Sequence, residues 1–223
     1  MKKFFLVCFF IVSAGELLAI LLHLPTVEKI FKPGIMATLI GYYFVSNESR
    51  SQAVLLAMCL SLIGDVLLML QGSANSMFIF GLGAFLLSHV FYILSYRQHT
   101  EKNETGGLLG IQRARFAFPI ILAGTGLIIV LYPFLGDLKI PVIVYALVLI
   151  LMVINALFRY GHTNTLSFWM VFSGAILFMV SDSMLAINKF LAPVTHSTFW
   201  IMLTYSTAQL LIVKGLAGHT SRD

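Results

Sequence analysis

The chain alternates long apolar segments with short polar ones, and this pattern predicts a bundle of membrane-spanning helices. A helix needs ~20 mostly apolar residues to cross a bilayer, and in lipid every backbone polar group must be paired internally. We therefore predict an all-α, polytopic membrane protein with one transmembrane domain over residues 1–223. The eight predicted spans are Phe4–Leu22, Ile30–Val45, Gln52–Leu70, Met77–Tyr96, Phe116–Phe134, Ile140–Phe158, Leu166–Ile187 and Thr198–Ala217.

The first two predicted spans have starts that the apolar pattern alone does not define. A basic N-terminus, an apolar run and small residues around Ala14 resemble a signal peptide with its cleavage site. We predict a retained helix instead, because the apolar run continues to Leu22. The second span is short and is predicted to open at Lys32 and Pro33, since proline is tolerated at a helix start.

The composition supports lipid as the main solvent, and the charges follow membrane topology. Hydrophobic residues make up 59% of the chain and charged residues 10%, whereas soluble domains carry about 25% charged residues. The net charge of +5 does not indicate nucleic-acid binding, because the Lys and Arg residues lie in short loops. With the N-terminus inside, ten of the 14 Lys and Arg residues lie on the inner side and four on the outer side. This bias favours cytoplasmic termini, and we expect a bacterial inner membrane.

Two further features set limits on the chemistry. Cys8 and Cys59 both lie in apolar runs, and no His/Cys cluster has metal-ligand spacing, so we expect neither a disulfide nor a metal site. The longest polar loop, Arg97–Arg115, is predicted to be cytoplasmic and mobile, and its role stays open.

Three carboxylic acids lie where lipid should exclude them: Glu16, Asp65 and Asp182. A carboxylate at the centre of a membrane helix costs about 2.5–3.5 kcal/mol, so such groups usually face a cavity and have a function. All three lie on odd-numbered spans, late in each span, and therefore at matched depth in the outer half of the membrane. We predict that Asp65 and Asp182 share one cavity. The alternative is that each acid only fixes packing by bonding to a neighbouring helix.

A faint internal repeat relates the halves of the chain. Residues 64–68 (GDVLL) resemble residues 181–185 (SDSML), and the offset between Asp65 and Asp182 is 117 residues (182 − 65). The same offset places the fourth span on the eighth. The pattern is consistent with a four-plus-four parallel duplication.

Other polar side chains lie near the depth of the acids. Lys32 and Lys189 lie at the outer side, where either could hold a phosphate as a point charge or could simply reach the interface. His89 and Tyr92 share one stripe of the fourth span, and Tyr205 and Gln209 share one of the eighth. A lone histidine on an apolar helix is more often a packing residue than a catalyst.

Several short motifs occur along the chain in a fixed order. They are Lys32-Pro33, SLIGDVLL at residues 61–68, GLGAFLLSHVFY at 81–92, GAILFMVSDS at 174–183, Asn188-Lys189-Phe190 and LTYSTAQL at 203–210. In that order they resemble the YhhN-like family of membrane lysoplasmalogenases, over nearly the whole chain. The resemblance implies hydrolysis of the vinyl ether bond of lysoplasmalogens, with a long-chain aldehyde and a glycerophospho-ethanolamine or -choline as products.

The chemistry of that reaction fits the acids. Protonation of a vinyl ether and attack by water need one protonated acid and one carboxylate. Two nearby carboxyl groups in a low-dielectric site resist double ionisation, so Asp65 and Asp182 fit these catalytic roles, in either order. No metal or organic cofactor is expected. The residues expected to contact the substrate are Glu16, Lys32, His89, Tyr92, Asn188, Lys189, Tyr205 and Gln209.

Two other classes of protein also use intramembrane acids. A proton-coupled transporter of lipids or small solutes suits both the carboxylates and the repeat. A structural membrane protein would use the acids for packing, and its variants would lose folding rather than rate.

Overall fold

The computed structural model describes residues 1–46, 50–70, 75–100 and 107–218, and it shows a bundle of helices with no strand in these ranges. The long helices are α1 (Lys2–Leu21), α2 (Pro25–Ser46), α3 (Gln52–Met69), α4 (Asn75–Gln98), α5 (Gly110–Leu131), α6 (Lys139–Leu157), α7 (Thr165–Ala186) and α8 (Ser197–Ala217). Two short 3₁₀ turns join α5 to α6, and a π-helical turn (Ile187–Leu191) follows α7. The predicted all-α class is confirmed.

The described helices have the lengths and compositions of membrane spans. Seven of them, all except α2, are long and apolar enough to cross a membrane. Helix α2 has 22 residues, so it is also long enough, but its first turns carry Glu28, Lys29 and Lys32. It packs against α1, α3 and α8 and is therefore an integral part of the bundle.

The predicted start of the second span was wrong. Helix α2 begins at Pro25, seven residues before Lys32, so Pro33 lies inside the helix and not at its start. Pro25 suits the first helical position because its missing N–H has no partner there anyway. The connection from α1 is short, and His23 within it has a positive φ of 56°. The first turns of α2 contain charged residues, so a search for apolar runs places the start of this helix too late.

The ends of the long polar loop are more helical than predicted. Helix α4 continues to Gln98, and α5 begins at Gly110, where the side chain of Gln112 accepts a hydrogen bond from Leu109 N at 3.0 Å. Residues 101–106, the centre of this loop, lie outside the described residues.

Helix packing follows the predicted repeat. Adding 117 to Met69, the last residue of α3, gives Ala186, the last residue of α7. Equivalent helices also have equivalent neighbours: α3 packs on α4 as α7 packs on α8, and α2 packs on α8 as α6 packs on α4. At the centre, Tyr92 Oη of α4 donates to Gln209 Oε1 of α8 at 2.6 Å, and these two residues are themselves 117 apart. The two halves are thus joined across matching positions.

Small residues allow the second hairpin to pack closely. A Cβ atom on Gly174 of α7 would lie 2.8 Å from Ile212 Cγ1 and 2.9 Å from the Ala208 carbonyl oxygen, both on α8. Close approach through small residues is a common way for membrane helices to associate. This contact fixes α8 against α7 and so sets the position of Tyr205 relative to Asp182.

A buried arginine links the ends of α4, α6, α7 and α8 that lie opposite the acids. Arg159 follows α6 and is 1% exposed, and its Nη2 donates to Ser167 Oγ at 3.0 Å and to the His99 carbonyl oxygen at 3.3 Å. Ser167 Oγ in turn donates to the Gly215 carbonyl oxygen at 2.7 Å. Burial lowers the pKa of the Arg159 guanidinium to about 10, so it remains charged at neutral pH. The sequence alone placed this residue in an inner loop and gave no sign of its burial.

Candidate active site

Asp65 and Asp182 lie at the same level of the bundle. Each is four residues before the last residue of its helix, α3 or α7, and so about 6 Å from the helix end. Asp65 is 3% exposed and Asp182 is partly buried. Both line one cavity of about 280 Å³, whose lining residues come from α2 to α8, as their matched depth predicted.

A buried tyrosine donates a hydrogen bond to each of the two acids. Tyr205 Oη of α8 donates to Asp65 Oδ2 at 2.6 Å, and Tyr145 Oη of α6 donates to Asp182 Oδ2. Both tyrosines also line the cavity. Each bond uses one oxygen of the carboxyl group, so it orients the group and leaves the second oxygen available for chemistry.

Sequence reasoning selected Tyr205 but missed Tyr145. Tyr145 lies in the most apolar part of the sixth span, where an aromatic residue suggests lipid contact or packing. A useful signal was available, because a tyrosine hydroxyl within an apolar span usually requires a hydrogen-bond partner. Asp182 is a partner at the right depth.

Lys32 of α2 is the basic residue in the lining of the cavity. Electrostatic interactions link it to Asp65 and to Glu16. Glu16 is 1% exposed in α1, and its Oε2 has no hydrogen-bond partner. It is not part of the cavity lining, and its electrostatic interaction with Lys32 connects it to the site.

The π-helical turn after α7 separates Asn188 from Lys189. Asn188 lines the cavity, and its Oδ1 accepts a hydrogen bond from Val194 N at 3.0 Å. Lys189 does not line the cavity, but its Nζ lies 4.2 Å from the centre of the ring of Phe78, which does.

The remaining predicted residues lie behind the cavity wall. Tyr92 and Gln209 bond to each other, and Gln209 Nε2 also donates to Ser61 Oγ at 3.1 Å. His89 is fully buried between the rings of Tyr145 and Phe178, with centroid distances of 5.3 and 4.8 Å. These side chains support the wall that holds the two tyrosines, and contact with a ligand in the cavity would require them to move.

The arrangement as a whole suits acid–base chemistry on an amphiphile. Two oriented carboxyl groups line one cavity whose other walls are mostly apolar, including Leu82, Phe85 and Leu149. Apolar walls lower the local dielectric and strengthen the effect of each charge.

Comparison with known proteins places the chain among membrane enzymes. Residues 27–216 match the model of the YhhN family. A human lysoplasmalogenase, TMEM86B, is 31% identical over 176 residues, which are 78% of this chain and 68% of that protein. A lysoplasmalogenase of Mycobacterium bovis is 34% identical over 169 residues, which are 71% of this chain but only 58% of that protein.

Further comparison extends the likeness to a second type of animal relative. A bovine lysoplasmalogenase, TMEM86A, is 29% identical over 187 residues, or 82% of this chain and 72% of that protein. No solved structure matches the chain. Both acids and both tyrosines lie within the region that the family model covers, and on that coverage the chain belongs to the YhhN family.

Proposed function

We propose that this protein is a lysoplasmalogenase, a hydrolase that cleaves the vinyl ether bond of lysoplasmalogens. The products are a long-chain aldehyde and glycerophospho-ethanolamine or -choline. The observation that carries the proposal is the pair of oriented carboxyl groups in one membrane cavity. Its family and the names of its relatives support the same activity.

The surroundings of the two acids support different roles for them. Lys32 interacts with Asp65, and a positive charge stabilises an ionised neighbour. We therefore assign Asp65 as the carboxylate and Asp182, for which no such interaction with Lys32 is found, as the proton donor. Tyr205 and Tyr145 are positioning residues that hold these groups in place.

The reaction then proceeds in two stages. Asp182 gives its proton to the alkenyl carbon that does not carry the ether oxygen. The electrons of the double bond form the new C–H bond, and an oxocarbenium ion remains. Asp65 stabilises this cation and takes a proton from the water that attacks its carbon. In the resulting hemiacetal, Asp65 returns its proton to the leaving glycerol oxygen while Asp182 accepts the hydroxyl proton. The C–O bond breaks, the aldehyde forms, and both acids are restored.

An apolar groove offers a place for the hydrocarbon chain of the substrate. It has a volume of about 880 Å³, lies between α5, α6 and α7, and extends from Phe168 to Ser183, which also lines the cavity. Those 15 residues (183 − 168) of helix span about 22 Å, more than half of a ~30 Å bilayer core. A single lipid chain can lie along this groove with its vinyl ether beside Asp182.

The direct test of this function is hydrolysis by the purified protein in detergent micelles. We expect aldehyde release from a lysoplasmalogen, but none from the matched lysophospholipid with a saturated ether, which cannot be protonated on carbon. In ¹⁸O-water the glycerol product should carry no label, because the bond that breaks lies on the alkenyl side of that oxygen. A transporter needs a compartment to act, so absence of turnover in micelles would favour the proton-coupled carrier.

We also propose that both termini are cytoplasmic, in a bacterial inner membrane. The excess of Lys and Arg in the loops on the side of the termini supports this orientation. The acids and Asp137, in the turn between α5 and α6, then belong to the outer half of the bundle. Reporter fusions at Asp223 and at Asp137 should report opposite sides of the membrane. The same side for both would refute this topology.

A further inference from the structure

A second, polar pocket lies at the end of the bundle beside the carboxylate cavity. It has a volume of about 290 Å³, and its lining includes His23, Glu28, His196 and Thr198. Thr198 also lines the cavity that holds the two acids, so the two spaces adjoin at the start of α8. Unlike the apolar groove between α5, α6 and α7, this pocket places one carboxylate and two imidazoles around a small space.

Two helices carry polar side chains from this pocket toward the acids. On α2, Glu28 lines the pocket and Lys32 lines the cavity, and a spacing of four residues puts them on one helix face about 6 Å apart. On α8, Thr198 and Tyr205 are seven residues apart and also share a face. Helices α2 and α8 pack against each other, so these faces border one path.

The two histidines of the pocket adopt unusual backbone conformations. His23 has a φ of 56° and His196 a φ of 53°, and they are the two non-glycine residues with positive φ within the described ranges. Such conformations are strained and persist where the surrounding structure fixes them, often at ligand sites. Here both bring an exposed imidazole to the same pocket.

We propose that this pocket binds the zwitterionic headgroup of a single-chain phospholipid, with the ammonium group at Glu28 and the phosphate between Lys32 and the two histidines. The inference rests on the proposed function and adds the subsite that recognises the headgroup. The order of groups in the protein supports it. Glu28, Lys32, the two acids and the apolar groove follow one another in space. The ammonium, phosphate, vinyl ether and hydrocarbon chain follow one another in the same order in the lipid. A headgroup held here places the reactive bond at Asp65 and Asp182.

The test compares two alkenyl lipids with the same chain, one ending in phosphoethanolamine and one ending in phosphate alone. For each, kcat/KM is measured with the purified protein and with Glu28→Gln. The ratio of kcat/KM for the ethanolamine lipid to kcat/KM for the phosphate lipid should fall by about 2- to 5-fold in Glu28→Gln. The fall should arise mainly from a higher KM for the ethanolamine lipid, since a partly exposed ion pair contributes modestly. Glu28→Lys should shift the ratio further in the same direction. Asp137→Asn, an exposed carboxylate outside the pocket, is the matched control.

The outcomes separate this inference from the function on which it rests. An unchanged ratio in Glu28→Gln and Glu28→Lys, with active wild-type protein, would overturn the headgroup subsite and leave the hydrolase intact. An equal fall in kcat for both lipids would also overturn it, because that result indicates a general structural role for Glu28. No aldehyde from either lipid with the wild type would overturn the proposed function and this inference with it.

Discussion

Replacing Asp182 by asparagine is expected to lower kcat for aldehyde release by about 10²–10⁴-fold, the usual contribution of a general acid. Asparagine has nearly the same size, and its side-chain oxygen can still accept the hydrogen bond from Tyr145. It cannot give a proton to carbon at neutral pH. The rate should therefore collapse while the cavity keeps its shape, and binding of the non-hydrolysable saturated-ether lipid should survive. Turnover per folded molecule and binding of that lipid are the two measurements.

The control for this variant separates chemistry from packing. Asp137→Asn removes an exposed carboxylate and should leave the rate near the wild-type value. If Asp182 served only to hold helices together, Asp182→Asn would instead lower yield or thermal stability and keep the rate of each folded molecule. Near wild-type turnover in Asp182→Asn would rule out its role as the acid.

Replacing Asp65 by asparagine should lower kcat by about 10²–10³-fold, because the negative charge that stabilises the developing cation is lost. Asparagine can still accept the hydrogen bond from Tyr205, so the position of the side chain should be kept. The negative charge beside the oxocarbenium ion is lost, and no group remains there to take a proton from water. Lys32 would then lack this partner, which adds to the cost of forming a second positive charge nearby.

A comparison with His89 sharpens the Asp65 result. His89→Gln should cause a smaller loss of rate, because the ring contacts Tyr145 and Phe178 from behind the wall and does not line the cavity. A loss in His89→Gln as large as in Asp65→Asn would contradict this division between site and support. Monodisperse protein and intact binding of the saturated-ether lipid are required of both variants.

Sequence reasoning located the two acids because lipid makes a buried carboxylate costly and therefore conspicuous. The same logic found the helices, since apolar runs of this length have few alternatives. It failed where polar and apolar features occur together. The charged first turns of α2 resemble a loop, and Tyr145 resembles an ordinary apolar packing residue. Lys189 lies beside the cavity wall and not in its lining, and the π-helical turn that contains it leaves no mark in the hydrophobic pattern.

The repeat places two like acids beside unlike neighbours. Asp65 and Asp182 occupy equivalent places in the two halves, but their tyrosines do not: the counterpart of Tyr205 is Ser88 (205 − 117), and that of Tyr145 is Glu28 (145 − 117). Lys32 likewise has an apolar counterpart, Leu149 (32 + 117). A perfectly symmetric pair would share one proton evenly, so neither member would be committed to donating it. The duplicated frame brings both carboxyl groups to one cavity, and we propose that their unequal neighbours determine which of them holds the proton when the substrate arrives.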